Sequence, residues 1–178
     1  MGKQYAALTP EDIAFIAAQH IVFLASCSGK EVNLSPKGLD CIRVENPNSL
    51  IYLDYPGSGN RTATDIAKGG EVTAVFCAFE GPAKILRLFC KGELIEPEKS
   101  EFSALIGQFN EPQKDAVRRL IRLKIYAVET SCGFGVPLYD YQGERADLTD
   151  WARKKAQNGT LQEYMDSRAT PPDLEKFR

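Results

Sequence analysis

Lys84-Ile-Leu-Arg-Leu-Phe-Cys-Lys-Gly-Glu-Leu-Ile95 is the stretch on which the fold turns. Leu86, Leu88, Cys90 and Leu94 fall on one face and Arg87, Lys91 and Glu93 on the other, which is the period-two pattern of a half-buried strand. Outward from it, residues 72–79 read as a neighbouring strand and residues 121–131 as a third long one. Residues 21–24 and 32–35 flank the turn Ser28-Gly-Lys-Glu31, and residues 41–44 and 50–54 flank Glu45-Asn-Pro-Asn48. Each pair predicts a hairpin, because Gly, Pro and Asn favour tight turns between β-formers. Helices are expected over residues 10–19, 61–67, 100–109, 112–119 and 148–157, with another after Gly159. The first carries Thr9 as N-cap, Pro10 at its first position and Glu11 and Asp12 at the positive end of its dipole. Gly69-Gly70 stops the second. Many short strands, few helices and hairpin connections predict a mainly antiparallel β-barrel or sandwich with flanking helices.

Composition agrees with one globular unit. Of 178 residues 43% are apolar and 26% charged, and a chain of this length buries roughly 70% of its unfolded surface without staples. We therefore expect one domain over residues 1–178, with residues 147–178 as a polar, helical C-terminal extension. The 22 basic and 24 acidic side chains nearly cancel, and the pI near 5.6 argues against a nucleic-acid binder, whose domain pI usually exceeds about 9. No apolar run approaches the roughly 20 residues of a membrane span. The run Ile21-Val-Phe-Leu-Ala-Ser-Cys27 imitates a lipoprotein leader, but Glu11, Asp12 and the Gln19-His20 break are wrong for an export signal. The five cysteines are odd in number, with no Cys-x-x-Cys pair and no zinc spacing. A reducing, cytoplasmic setting without a metal is the expectation. One histidine, His20, leaves little room for chemistry built on a His–nucleophile pair, and at a helix-to-strand junction it reads as structural.

Three segments could bind a ligand, each with an ordinary alternative. Gly57-Ser-Gly-Asn-Arg-Thr62 starts like a dinucleotide fingerprint but has Thr at the third Gly and follows a hairpin. It suits a phosphate, since small residues free backbone N–H groups and Arg61 offers a bidentate fork at a helix start; it also suits a plain surface loop. Asn33-Leu-Ser-Pro-Lys-Gly38 sets Ser35 and Lys37 at a strand end, able to hold an anion or the polar edge of a ring, or to form a simple turn. Ser131-Cys-Gly-Phe-Gly-Val-Pro137 puts two glycines at the end of a β run, which permits a close approach of backbone or ligand, or a bulge. Lys114, Arg118, Arg119, Arg122 and Lys124 form a basic cluster without interleaved aromatics, which reads as a solvated face.

Taken in order, Asn33–Gly38, Leu50-Ile-Tyr-Leu-Asp54 with Gly59-Asn-Arg-Thr62, and Ser131–Pro137 resemble the pyridoxamine 5′-phosphate oxidase-like family of flavin-binding split barrels. The resemblance covers residues 10–140. It implies a six-stranded antiparallel split β-barrel, a homodimer and one flavin mononucleotide (FMN) in each of two interface clefts. It places Asn60, Arg61 and Thr62 on the phosphate and Ser35 and Lys37 beside the flavin. Cys132 and Gly133 close the site, from the partner subunit. Residues 147–178 do not match the end segment with which the name-giving oxidases hold pyridoxal phosphate, so the likeness is to other flavin-binding relatives. The implied function is an FMN-dependent oxidoreductase of unknown small-molecule redox substrate. The alternatives are a non-catalytic flavin reservoir or redox sensor, and a split barrel that takes haem or a deazaflavin.

Overall fold

The computed structural model describes residues 2–29, 31–110, 114 and 116–177. Its strands are β1 (Gln4–Tyr5), β2 (Val22–Cys27), β3 (Val32–Lys37), β4 (Ile42–Asn46), β5 (Ser49–Asp54), β6 (Glu71–Cys77), β7 (Ile85–Ile95) and β8 (Arg119–Ser131). The helices are α1 (Pro10–Ala17), α2 (Arg61–Ala67), α3 (Phe102–Ile106), α4 (Asp147–Gln157) and α5 (Leu161–Ser167), with a 3-10 turn at Glu175–Phe177. All strand pairings are antiparallel, in the order β3-β2-β6-β7-β8-β5-β4, with β1 added to β8.

The sheet therefore has eight strands where six are expected, and β3 and β4 end it as open edges. The reason lies in β8. Its first half pairs with β5 and its second half with β1 along the same edge, while β7 occupies the other edge throughout. The β7–β8 register shifts between Phe89 and Cys90, leaving Tyr126 extra on β8. That bulge moves the buried set of β8 from Ile121, Leu123 and Ile125 to Val128.

The quoted stretch behaves as predicted as far as Cys90: Leu86, Leu88 and Cys90 are fully buried. Beyond it Leu94 is half-buried and Ile95 is the fully buried residue. At that end both faces are covered, since Ile121 opposite Leu94 and Leu120 opposite Ile95 are both buried. Gly92 is where α2 meets the sheet, for a Cβ there would collide with the Ile66 side chain. The expected helix over 112–119 falls partly outside the described residues, and Arg119 belongs to β8. The helix expected over 100–109 shortens to Phe102–Ile106.

α1 begins with the expected cap. Thr9 Oγ1 accepts from the Asp12 N–H at 3.2 Å, and Asp12 Oδ2 accepts from the Thr9 N–H at 3.1 Å. Asp12 also accepts from Tyr5 Oη at 2.7 Å and pairs with Lys84 Nζ at 2.8 Å, its side chain only 3% exposed. Burial alone would raise this carboxyl. Hydrogen bonds from Lys84, Tyr5 and Thr9 outweigh burial and hold it below the usual carboxylate value. A lowered folded-state pKa stabilises above the unfolded pKa and ceases to do so as pH falls through the folded one. Asp12→Asn should thus cost about 1.5 kcal/mol near neutral pH, and thermal melts should show the gap to wild type closing below about pH 4. A gap independent of pH would refute this account.

Candidate functional site

β3, the end of β5 and the start of α2 converge on a cleft of about 350 Å³. The alternation of β3 decides what faces it: Asn33, Ser35 and Lys37 point inward, while Val32 and Leu34 face out. Pro36 is tolerated because β3 is an edge. Asn33 Nδ2 donates to Thr62 Oγ1 at 3.0 Å and to Ser26 Oγ at 3.1 Å. Ser26 and Ser28 in turn donate to the two Asp65 oxygens at 2.7 and 2.6 Å. α2 is thereby tied to β2 and β3. Thr62 Oγ1 accepts from Asn33, so its own hydroxyl proton is directed elsewhere.

The loop entering α2 is held by a residue that the sequence leaves inconspicuous. Arg118, 6% exposed, donates from Nη1 to Gly59 O at 2.9 Å and Asn60 Oδ1 at 3.1 Å, and from Nη2 to Gly57 O at 2.8 Å. A fixed planar fork reaches these three acceptors from two nitrogens, a spread that the single nitrogen of a lysine does not offer. Arg119 pairs with Glu96 at 3.3 Å, and Arg122 binds Glu45, Glu93 and Glu101 at 3.0, 3.4 and 2.7 Å. The three arginines of the basic cluster are therefore no solvated face, whereas Lys124, 61% exposed, stays at the surface with Glu93 at 2.9 Å. Arg118 precedes β8 and meets loop carbonyls, while β8 carries Arg119 and Arg122 to the carboxylates of Glu96, Glu45, Glu93 and Glu101, whose hydrogen bonds, first that of Glu45, raise the Arg122 pKa.

Beneath the cleft lie groups the sequence reading did not select. Burial pushes the Asp54 carboxyl up, against the lowering influence of Arg118, Lys37 and Arg119. Tyr52 Oη donates to Asp54 Oδ1 at 3.4 Å, and Lys37 Nζ lies 5.9 Å from the Tyr52 ring centre. Burial raises the Tyr52 and Tyr55 phenols and the Cys41 thiol, the last to about 12. Tyr55 Oη is buried in the cleft wall with no partner among the described residues, a donor that a ligand or water can satisfy. At the rim Leu39 and Asp40 adopt left-handed backbone, φ 65° and 49°, costly for a leucine. Glu144 accepts from the Leu39 N–H at 3.1 Å, and Arg43 grips both Asp40 oxygens at 2.6 and 2.7 Å.

Five of the seven sequence-selected residues, Ser35, Lys37, Asn60, Arg61 and Thr62, line this one cleft. Cys132 and Gly133 do not join them within a single chain. Cys132 is exposed beyond the end of β8, beside Gly2, Gln4 and Glu129. Gly133 has φ 68°, and a Cβ there would stand 2.9 Å from the Lys84 backbone; the close approach it permits is that of its own chain. The C-terminal extension reaches the cleft from above. Asn60 Nδ2 donates to Ala169 O and Arg61 Nη2 to Pro172 O, each at 2.7 Å, and Leu148 closes one side. Among the described residues no group of three or more His, Cys, Asp or Glu is placed to hold a metal ion, and no helix is long and apolar enough to cross a membrane.

No family model matches the chain. Over 126 residues, 68% of this chain, it is 36% identical to the pyridoxamine 5′-phosphate oxidase family protein ustO of Aspergillus flavus. Among solved structures it superposes on a candidate pyridoxamine 5′-phosphate oxidase of Lactobacillus delbrueckii with a TM-score of 0.54 at 22% identity, covering 68% of this chain and 93% of that one. The chain belongs among the pyridoxamine 5′-phosphate oxidase-like split barrels. This split barrel spans 51% of its Aspergillus relative's length. It shares the fold also with the FAD binding protein of Mycobacterium smegmatis, TM-score 0.51 at 6% identity over 71% of this chain and 97% of that one.

Proposed function

We propose that this split barrel is an FMN-binding flavoprotein acting as an oxidoreductase, with the flavin at a homodimer interface. The observation that carries the reading is the convergence of Ser35, Lys37, Asn60, Arg61 and Thr62, from elements far apart in sequence, on one cleft. The donor set fits a phosphate. Asn60 and Arg61 already point N–H groups at two carbonyl oxygens of the extension, Thr62 offers a hydroxyl, and charge-assisted bonds to an anion are stronger than those to neutral carbonyls. Tyr55 Oη adds a buried donor without a partner among the described residues.

In this reading Arg61, Asn60 and Thr62 bind the phosphate, Arg118 keeps their loop in shape, and Ser35 and Lys37 orient the ring edge. Asp54, its pKa raised by burial, is the cleft's own group for holding a proton. FMN, when bound, supplies the hydride acceptor, which removes the need for a catalytic histidine. The Cys132-Gly133 segment of a partner subunit closes the site.

The absorption spectrum of the purified chain after added FMN, taken with its size in solution, tests this. Flavin bands at one FMN per chain in a dimer are expected; no flavin absorbance sinks the reading, and a haem band would replace it. Turnover of a reduced nicotinamide with an electron acceptor separates an oxidoreductase from a flavin reservoir. Phosphate entry must also displace the Ala169 and Pro172 carbonyls. FMN should therefore speed tryptic cleavage after the exposed Arg168 several-fold, as followed by mass spectrometry, and an unchanged or slower rate would exclude displacement.

A further inference from the structure

Gly38, Leu39 and Leu148 line the anion cleft and also a second, larger depression of about 1020 Å³. Six rings surround this second space: Phe15, His20, Phe23, Phe79, Tyr139 and Tyr141. Four of them pair with one another. His20 and Tyr141 stack in parallel with centroids 3.6 Å apart, and Phe79 and Tyr139 tilt together at 5.5 Å. The Tyr139 N–H donates to Phe79 O at 3.0 Å and the Tyr141 N–H to Glu80 Oε1 at 3.2 Å. Yet Tyr139 and Tyr141 remain 62% and 42% exposed, and an exposed, rimmed cluster of aromatics is the usual dress of a ligand site.

The charge around the two spaces is opposite. The anion cleft sets Lys37 and Arg61 against Asp54, whereas the aromatic depression sets Glu80, Asp140, Glu144 and Asp147 against Arg145. We propose that the aromatic depression is a second-ligand site, taking a planar-ring molecule with an ammonium group and rejecting anionic rings. Ring faces and carboxylates both attract a cation, while a ligand carboxylate or phosphate there meets like charge inside the screening length of about 8 Å. The binding claim stands on this geometry alone. Only the assignment of that ligand as the reaction partner of the neighbouring cofactor rests on the flavin reading, and it turns the chain away from the phosphorylated substrate of the name-giving oxidases.

Tryptamine and indole-3-acetate, which share a ring and differ in charge, test it by calorimetry on the full-length protein with and without saturating FMN. Tryptamine should bind one per chain, at least about 10-fold tighter than the acetate, and should still bind with FMN present. Tyr141→Ala should weaken it about 5-fold or more, and Asp140→Asn with Glu80→Gln should narrow the ratio between the two indoles. Equal affinities, preference for the acetate, no binding of either, or indifference to Tyr141→Ala overturns the proposal. Competition between tryptamine and FMN would give the rings to the flavin, and a dimer that Tyr141→Ala splits, with no indole bound, would give them to a second copy; either result overturns it too. Flavin bands without indole binding defeat this proposal alone, and indole binding without flavin bands defeats the flavin reading alone.

Discussion

Arg118→Met should lower stability by about 3 kcal/mol and, in the same protein, weaken FMN binding well beyond what a surface substitution does. The side chain is buried and its three hydrogen bonds end on Gly57 O, Gly59 O and Asn60 Oδ1. Methionine keeps an unbranched apolar stem but is shorter, and it leaves those acceptors without their donor. It also removes the cation that most strongly opposes the upward push of burial on Asp54. For a chain of this size the loss corresponds to a fall in melting temperature of roughly 6–12 °C, read by calorimetry. Arg118→Lys should recover less than half of it, because an ammonium cannot reach all three acceptors in one plane. A methionine variant as stable as wild type would show that water serves the loop as well as the guanidinium does.

Arg61→Ala should weaken FMN by about 2 kcal/mol, roughly 30-fold in Kd, while changing the melting temperature of the ligand-free protein little. The asymmetry follows from position. Arg61 lies at the mouth of the cleft, and its Nη2 bond to Pro172 O is an exposed contact to a neutral carbonyl, whereas a phosphate offers a charged acceptor at the same guanidinium. Fluorescence quenching of FMN gives the affinity. Arg61→Lys should fall between the two, since it keeps the charge and loses the fork. Unchanged affinity in the alanine variant would remove Arg61 from the phosphate site and leave Asn60 and Thr62 to be tested in turn.

The parts of this molecule that local chemistry controls were legible in advance. The Thr9–Asp12 cap, the two N-terminal hairpins, the alternation of residues 84–90 and the glycine stop after α2 all depend on residues within a few positions of one another. Asn33 to Gly38 and Gly57 to Thr62 carried enough polar and small residues to mark both walls of the cleft. Tyr52 and Asp54 were visible as strand residues but gave no sign of lying beneath a cavity. In the sequence Arg118 reads as part of a solvated basic face, because its acceptors lie about sixty positions away in the chain. Gly133 was open to two readings, and the answer, the Lys84 backbone, lies across a strand pairing.

By itself the sequence determined the long strands, the first two hairpins, α1, α2 and the polar residues at strand ends, because rotamer sterics, capping and period-two burial act over a few residues; it did not mark β1 and drew the helix over 100–109 too long. Only the tertiary structure decided that β8 divides one edge between β5 and β1, that the sheet stays open, and that Arg118 is a buried clamp. It alone placed the C-terminal carbonyls on Asn60 and Arg61 and gathered six rings beside the cleft between β3 and α2. Those outcomes depend on which surfaces meet once apolar area is buried and most buried donors find acceptors, and chain spacing does not encode that choice.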